Sequence, residues 1–179
     1  LRCLDINIEG TKNLLDTATS YGKIKKFIFA SSSEVYGEPL NNPIKETDIT
    51  QGKTVYAISK LAGEELVKAF SSEFSKFDYS ILRYFNTYGP HQIAQFVIPK
   101  FISNVMSNQS PVIFGNGNQQ RSFNFSEDTA RATAETLFYD STNGETINIG
   151  NSKEPINLID LAKRIIKICK KENEVKIKI

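Results

Sequence analysis

A tyrosine and a lysine stand four residues apart in Tyr56-Ala57-Ile58-Ser59-Lys60, downstream of a hydroxyl run, Ser31-Ser32-Ser33, that is followed by Glu34. Four residues is about one helical turn, so Tyr56 and Lys60 share a face if that segment is helical. A free phenol has a pKa near ~10 and is a poor base at neutral pH. A neighbouring ammonium favours phenolate and lowers that value. A hydroxyl such as that of Ser32 can hold and polarise the same substrate oxygen. Together the three groups can move a proton from an alcohol or sugar hydroxyl while hydride leaves the carbon, and a nicotinamide cofactor would accept the hydride. Each piece also has a plainer reading. Tyr-x-x-x-Lys arises by chance on many helices, and serines are common where a strand turns into a loop. Their order and separation favour chemistry.

A strand and a helix must bring these groups together. Lys26-Phe27-Ile28-Phe29-Ala30-Ser31 is a short apolar run followed by turn chemistry, which reads as a buried parallel strand. The serines then fall at its carboxyl end, where parallel sheets bind ligands. A polar stretch from Glu38 to Thr54, broken by Pro39 and Pro43, leads to a helix marked by Ile58, Leu61, Ala62, Leu66, Ala69 and Phe70. Upstream, Leu4, Ile8, Thr11, Leu15 and Ala18 predict a helix over 1–21 that ends at Gly22. Downstream, the pattern predicts a strand over 79–84 and a helix over 96–106, then strands over 111–114 and 121–125 around Gly115-Asn116-Gly117. A helix over 127–139 capped by Ser126, a strand over 146–149 and a helix from an Asn157 cap to about residue 171 complete the series. Val175 to Ile179 alternates like a strand with no partner after it. Strands alternating with helices predict an α/β fold with a parallel sheet. Opening inside a helix and closing on such a strand, the chain reads as a fragment with material missing at both ends.

Composition bounds the partners. The 179 residues are 40% hydrophobic, enough to build a core. Charged residues make up 23%, with 22 Lys+Arg against 20 Asp+Glu, and a net charge of +2 argues against a polybasic nucleic-acid or membrane-surface protein. No apolar run approaches the ~20 residues of a membrane span. Cys3 and Cys169 form no C-x-x-C or disulfide framework, which fits a reducing cytoplasm. His91 is the single histidine, so no multi-histidine metal site is expected.

Beyond the catalytic segment, further motifs run in order: Asn7-Ile8-Glu9-Gly10-Thr11-Lys12-Asn13-Leu14, Ser31 to Gly37, Arg83-Tyr84-Phe85-Asn86-Thr87-Tyr88-Gly89-Pro90, Val97-Ile98-Pro99-Lys100-Phe101 and Phe114 to Phe123. With Tyr56 to Lys60 they resemble the extended short-chain dehydrogenase/reductases, the NAD-dependent nucleotide-sugar epimerases and dehydratases. The resemblance implies the C-terminal part of a Rossmann-like, doubly wound parallel sheet with a small α/β substrate-binding portion. It implies a partial NAD-binding domain over 1–90 that carries the catalytic segment. Residues 91–179 would be mostly nucleotide-sugar binding, with interleaved returns to the sheet.

By that resemblance Ser32, Tyr56 and Lys60 are catalytic, Ser32 being chosen because the family hydroxyl lies four residues before the tyrosine of Val35-Tyr36-Gly37. Ser31, Tyr56, Lys60 and Tyr84 would meet NAD, with Lys60 on the nicotinamide ribose. Ser33, Asn86, Val97, Phe114 and Arg121 would meet the nucleotide-diphosphate sugar. A guanidinium suits phosphate oxygens, which supports Arg121. Phe114 reads equally as a base contact or a buried strand residue. Tyr36 and Tyr88 read as packing, and His91 as a loop residue. The family's Gly-rich cofactor turn and its acid for the adenosine ribose are absent, so this fragment alone is expected to bind NAD poorly or not at all. Its late Arg and Asp on the substrate are absent too.

The leading expectation is C4 epimerisation of a UDP-hexose through a 4-keto intermediate, in the cytoplasm. Glu34 motivates the alternative of a 4,6-dehydratase or UDP-glucuronate decarboxylase, because a carboxylate beside the sugar can act as a base. Ser33-Glu34 does not decide between them, while Tyr84-Phe85-Asn86 leans towards epimerases. A non-catalytic NAD-binding protein is the remaining alternative, against which the intact Ser32, Tyr56 and Lys60 argue. Helices over 1–21 and 56–75 resemble those through which relatives form homodimers. Gly10, Ala18, Ala62 and Ala69 would permit close helix approach, unless they serve packing on the sheet.

Overall fold

The computed structural model describes residues 2–74 and 76–179. The helix ends expected at Leu1 and Ser75 lie outside these. The chain separates into two compact units, Leu1–Phe85 with Asp128–Ile149, and Asn86–Glu127 with Gly150–Ile179.

In the first unit three parallel strands, β1 (Lys26–Ser32), β2 (Asp78–Tyr84) and β6 (Glu145–Ile149), lie in the order β1-β2-β6. The register pairs Ser32 with Tyr84 and Tyr84 with Ile149, so the three carboxyl ends are aligned. As the central strand, β2 buries Ser80, Ile81, Leu82 and Arg83 in succession. Helix α1 (Gly10–Tyr21) and helix α2 (Val55–Phe74) cover one face through Leu15, Ala18, Val67, Phe29 and Ile81. A Cβ at Gly63 would run into the Phe29 ring, so the missing side chain is what lets α2 lie close on β1. Ahead of α1 the helix widens into a π-type turn, Asp5–Glu9, after a first turn at Arg2–Leu4. Gly22, at φ 66°, ends α1 as expected. Among the described residues no helix is long and apolar enough to cross a membrane.

The second unit is built on helix α3 (Val97–Met106) and helix α5 (Leu158–Ile168), whose Phe101, Val105, Leu161, Ala162, Ile165 and Ile166 enclose Ile113 and Val175. Asn157 caps α5, its side-chain oxygen accepting from the Asp160 N–H at 2.8 Å. A left-handed residue, Lys170 at φ 56°, follows that helix, which stops at Ile168 short of the expected 171.

Several expected elements are reshaped here. The strand over 111–114 shrinks to a parallel bridge of Val112 with Lys178, which gives the terminal segment a partner that its sequence did not suggest. Glycines at positive φ, Gly115 and Gly117, turn the chain away just beyond it. The strand over 121–125 divides because the chain changes partners. β4 (Gln120–Arg121) pairs antiparallel with β7 (Ile156–Asn157), and β5 (Asn124–Phe125) pairs parallel with β3 (Thr87–Tyr88). Asn86 clasps the break, donating to the Ser122 carbonyl at 3.1 Å and accepting from the Asn124 N–H at 3.1 Å. Helix α4 (Ser126–Glu135) begins on Ser126 itself and ends before 139, its last turn tightening as Leu137 and Phe138 donate to Ala134 and Glu135.

Candidate active site

Strand β1 reaches one residue beyond its expected end, so Ser32 is both its last residue and the cap of the short turn Ser33–Tyr36. The Ser32 oxygen accepts from the Glu34 N–H at 3.2 Å. Gly37, at φ 64°, closes that turn where a Cβ would strike the Gln51 carbonyl, which explains the glycine of Val-Tyr-Gly. Thr54 starts α2, its hydroxyl oxygen accepting from the Ala57 N–H at 3.0 Å. Tyr56 therefore enters in the first turn of α2, with Lys60 one turn later.

The Ser32 hydroxyl is near enough to the Tyr56 phenol to favour its ionised form. Tyr56 stays 39% exposed, open to a substrate rather than sealed in the core. The Lys60 ammonium donates to the Ala30 carbonyl at 2.8 Å and stands 5.7 Å from the centre of the Tyr56 ring. Ser32, Tyr56 and Lys60 thus meet at the carboxyl end of β1.

The electrostatics depart from the expected phenol lowered by its lysine. Burial raises the Tyr56 phenol above its ordinary value, the Ser32 hydroxyl opposes this, and the nearby Glu34 and Cys3 raise it further. Burial lowers the Lys60 ammonium, with Cys3 opposing. The ammonium is spent on a backbone carbonyl and faces the aromatic ring.

Glu34 does not project by strand alternation from Ser32, because the chain turns between them. Its exposed carboxylate accepts from the Thr54 hydroxyl at 3.2 Å, and its charge acts on Tyr56. Among the described residues it is bound neither to a backbone donor of its own turn nor to a basic residue. Ser33 is partly exposed in the same turn. Ser31 differs from expectation: its side chain is 3% exposed and donates inward to Glu64 at 2.5 Å, so its hydroxyl is not free for a cofactor. Alternation along β1 sends it to the face opposite Ser32. Tyr84 is partly buried beside Ser32 in register, its hydroxyl paired with that of Thr133 at 2.9 Å.

The remaining expected residues belong to the second unit. Asn86 and Val97 line a cavity of about 140 Å³ with Tyr88 and Phe123. Phe114 and Arg121 are not among its lining residues. Phe114 is 75% exposed, so its buried-strand reading is wrong. Arg121 is exposed and donates to the Gln120 carbonyl at 2.9 Å. Tyr36 and Tyr88 pack as expected, Tyr88 against Phe123 and Phe125. Sequence reasoning passed over Thr54 and Cys3; a threonine three residues before Ala57 at a helix start was the available signal for the first.

The donor set at β1 suits half of a nicotinamide dinucleotide. Among the described residues the Lys60 ammonium has only Ala30 as a hydrogen-bond partner, leaving donors for a ribose diol beside the Tyr56 and Ser32 hydroxyls.

The profile of the NAD dependent epimerase/dehydratase family matches residues 1–150, and the chain belongs to that family. It is 41% identical to a putative UDP-glucose 4-epimerase of Methanocaldococcus jannaschii, over 84% of this chain and 49% of that protein. It is 38% identical to the dTDP-D-glucose 4,6-dehydratase of Mus musculus, over 94% of this chain and 46% of that one. The structure of UDP-glucuronic acid 4-epimerase from Bacillus cereus, in complex with UDP-glucuronic acid and NAD, superimposes with a TM-score of 0.87 at 32% identity, covering 96% of this chain and 54% of that one. The chain spans about half the length of the curated relatives it matches. Its sheet is the Rossmann-like portion of these epimerase structures.

Proposed function

We propose that this chain carries the catalytic half of an NAD-dependent enzyme that inverts C4 of a nucleotide sugar, a UDP-hexose. The observation that carries the reading is the meeting of Ser32, Tyr56 and Lys60 at the carboxyl end of β1, with Tyr56 accessible. Tyr56 takes the proton of the sugar 4-hydroxyl and returns it after inversion. Ser32 holds the same oxygen, and Lys60 holds the nicotinamide ribose while contributing positive charge. The bound nicotinamide supplies hydride acceptance and return, which makes the 4-keto sugar transient. Tyr84 flanks the nicotinamide and only the backbone of Ser31 serves the cofactor. Ser33 serves the sugar. Asn86 and Arg121 hold the diphosphate, Val97 the substrate-side wall and Phe114 the base. The protein acts in the cytoplasm as a homodimer. Its helices offer Ile6, Leu14, Val55 and Ile58, each more than half exposed. Gly10 has open space beside it, whereas Ala18 is used in the core of its own unit.

A second reading, a 4,6-dehydratase, draws on the exposed Glu34 carboxylate beside Tyr56 and on the dehydratase relatives. The test is to incubate the full-length protein with UDP-glucose and with dTDP-glucose and to resolve the products by NMR. UDP-galactose without a 4-keto-6-deoxy sugar supports epimerisation. Accumulation of the 4-keto-6-deoxy product overturns it in favour of the dehydratase, and no product from either sugar defeats both readings for these substrates.

A further inference from the structure

Beneath Tyr56 and Lys60 lies a buried charge cluster to which the proposed chemistry gives no task. Glu64 follows Lys60 by one turn, so Tyr56, Lys60 and Glu64 share one face of α2. The Glu64 side chain is 1% exposed and that of Arg83 6%. The pair is bidentate: Arg83 Nε donates to Oε1 at 3.0 Å and Nη2 to Oε2 at 2.7 Å. The Ser31 hydroxyl adds a third bond to the carboxylate at 2.5 Å. Arg83 Nη1 donates to the Tyr36 hydroxyl at 2.8 Å and to the Glu46 carbonyl at 3.2 Å. The Tyr36 hydroxyl donates onward to Asn148 at 2.7 Å. Burial works against the Arg83 charge, and Glu64 and Tyr36 outweigh it, holding the guanidinium above its ordinary value.

The cluster ties β1, the turn after it, α2, β2 and β6 at one depth. Each tie adjoins a group of the candidate site: Ser31 precedes Ser32, Arg83 precedes Tyr84, and Glu64 lies a turn beyond Lys60. Two consecutive residues of β1 thereby dock one face of α2, Ala30 on Lys60 and Ser31 on Glu64, and the next, Ser32, is the one that acts on Tyr56. A buried ion pair is often replaceable by apolar side chains without loss of stability. A planar fork on a carboxylate does fix direction, in a way that apolar contact does not. A displacement of the order of 1 Å at a reacting group costs up to ~10²-fold in rate.

We propose that Glu64 and Arg83 are positioning residues, the buried pair locking α2 in register against the carboxyl end of β1 so that the Tyr56 hydroxyl stays beside Ser32. The proposal rests on Tyr56 as the acid–base group. Its test uses the full-length protein with Glu64→Leu/Arg83→Met, which removes both charges together, and with Ser31→Ala, which removes one tie and no charge. Ionisation of Tyr56 is read as the ultraviolet tyrosinate difference between each protein and its Tyr56→Phe counterpart. The charged and polar groups facing Tyr56 — Ser32 and Glu34 from the turn, Cys3 from the first helical turn, Lys60 from α2 — are unchanged in both variants.

The double variant should bind NAD normally, keep KM within about threefold and lose ~10–100-fold in kcat. Its Tyr56 titration should move to higher pH, because the influence of the Ser32 hydroxyl that lowers it is weakened. Ser31→Ala should move the titration the same way by less. A folded double variant with wild-type kcat and titration overturns the proposal. Should the double variant not fold, an unmoved titration in Ser31→Ala overturns it instead. The titration needs no substrate, so a protein inactive on nucleotide sugars would sink the functional reading while the lock is still tested.

Discussion

The Lys60 ammonium is anchored on the carbonyl of Ala30, 2.8 Å away and two residues before Ser32. This bond uses the strand as a fixed post and leaves the ammonium's remaining donors for other partners. The phenol four residues earlier stands above its ordinary value, with burial as the largest cause, while the ammonium lies 5.7 Å from the centre of its ring. In this arrangement Lys60 is better placed to hold a cofactor ribose than to activate Tyr56 directly.

Removing the Tyr56 hydroxyl tests the proton transfer. Tyr56→Phe in the full-length protein should leave NAD binding intact and cut turnover by ~10²–10⁴, the scale of positioned acid–base catalysis. Cofactor titration and single-turnover kinetics separate the two effects. Unchanged turnover would remove Tyr56 from the mechanism.

Glu34 raises the Tyr56 phenol through its charge. A base works deprotonated, so activity rises with pH through the ionisation of Tyr56. Glu34→Gln deletes the nearby negative charge and makes phenolate easier to form. The rising limb of the kcat–pH profile should therefore move to lower pH. A limb that stays put or moves upward shows that the carboxylate does not act on Tyr56. In a dehydratase the same variant would also stop release of the 4-keto-6-deoxy sugar, which an epimerase never makes.

Local rules made much of this legible from the chain. The parallel strand before Ser32, the spacing of Tyr56 and Lys60 and the Asn157 cap were legible from near neighbours in sequence, but the expected burial of that strand was not met: it lies at the edge of the three-stranded sheet and buries only Phe29 and Ser31. Non-local choices were not legible. The segment around Pro111 to Phe114 has strand composition, yet it forms only a bridge, and its partner Lys178 lies so far along the chain that no local pattern records it. The sequence between Arg121 and Phe125 reads as one strand because nothing local records that Asn86 intervenes and the partner changes. Ser31 and Ser32 look alike in sequence. Only the pleat of β1 sends one hydroxyl to Glu64 and the other to Tyr56.

Phe114 stands out in solvent at 75% exposure, just before a turn at Gly115. If its ring stacks on the nucleotide base, Phe114→Ala should raise KM for the nucleotide sugar by about 5- to 100-fold, the worth of one base–aromatic stack. A base contact binds ground state and transition state alike and moves no proton, so kcat should stay within about twofold. Steady-state kinetics decide this: a fall in kcat at unchanged KM would take Phe114 away from the base.

The proposed homodimer makes the last prediction. Leu14 on α1 is 62% exposed and Ile58 on α2 52%, and Ile6 and Val55 are exposed at 59% and 53% on the same two helical segments. Singly such residues are ordinary on a surface; carried on two helices that pack together, they are the apolar side chains the proposed dimer would cover with a second copy. A symmetric dimer presents the same patch from both subunits, so one substitution strikes the interface twice. Leu14→Glu places a charge in that patch without touching Ser32, Tyr56 or Lys60. The full-length wild type should run as a dimer in light scattering at micromolar concentration, and Leu14→Glu should shift it to monomer while its circular dichroism is unchanged. A wild-type protein that is monomeric under those conditions, or a Leu14→Glu dimer as stable as wild type, rules out this face as the interface.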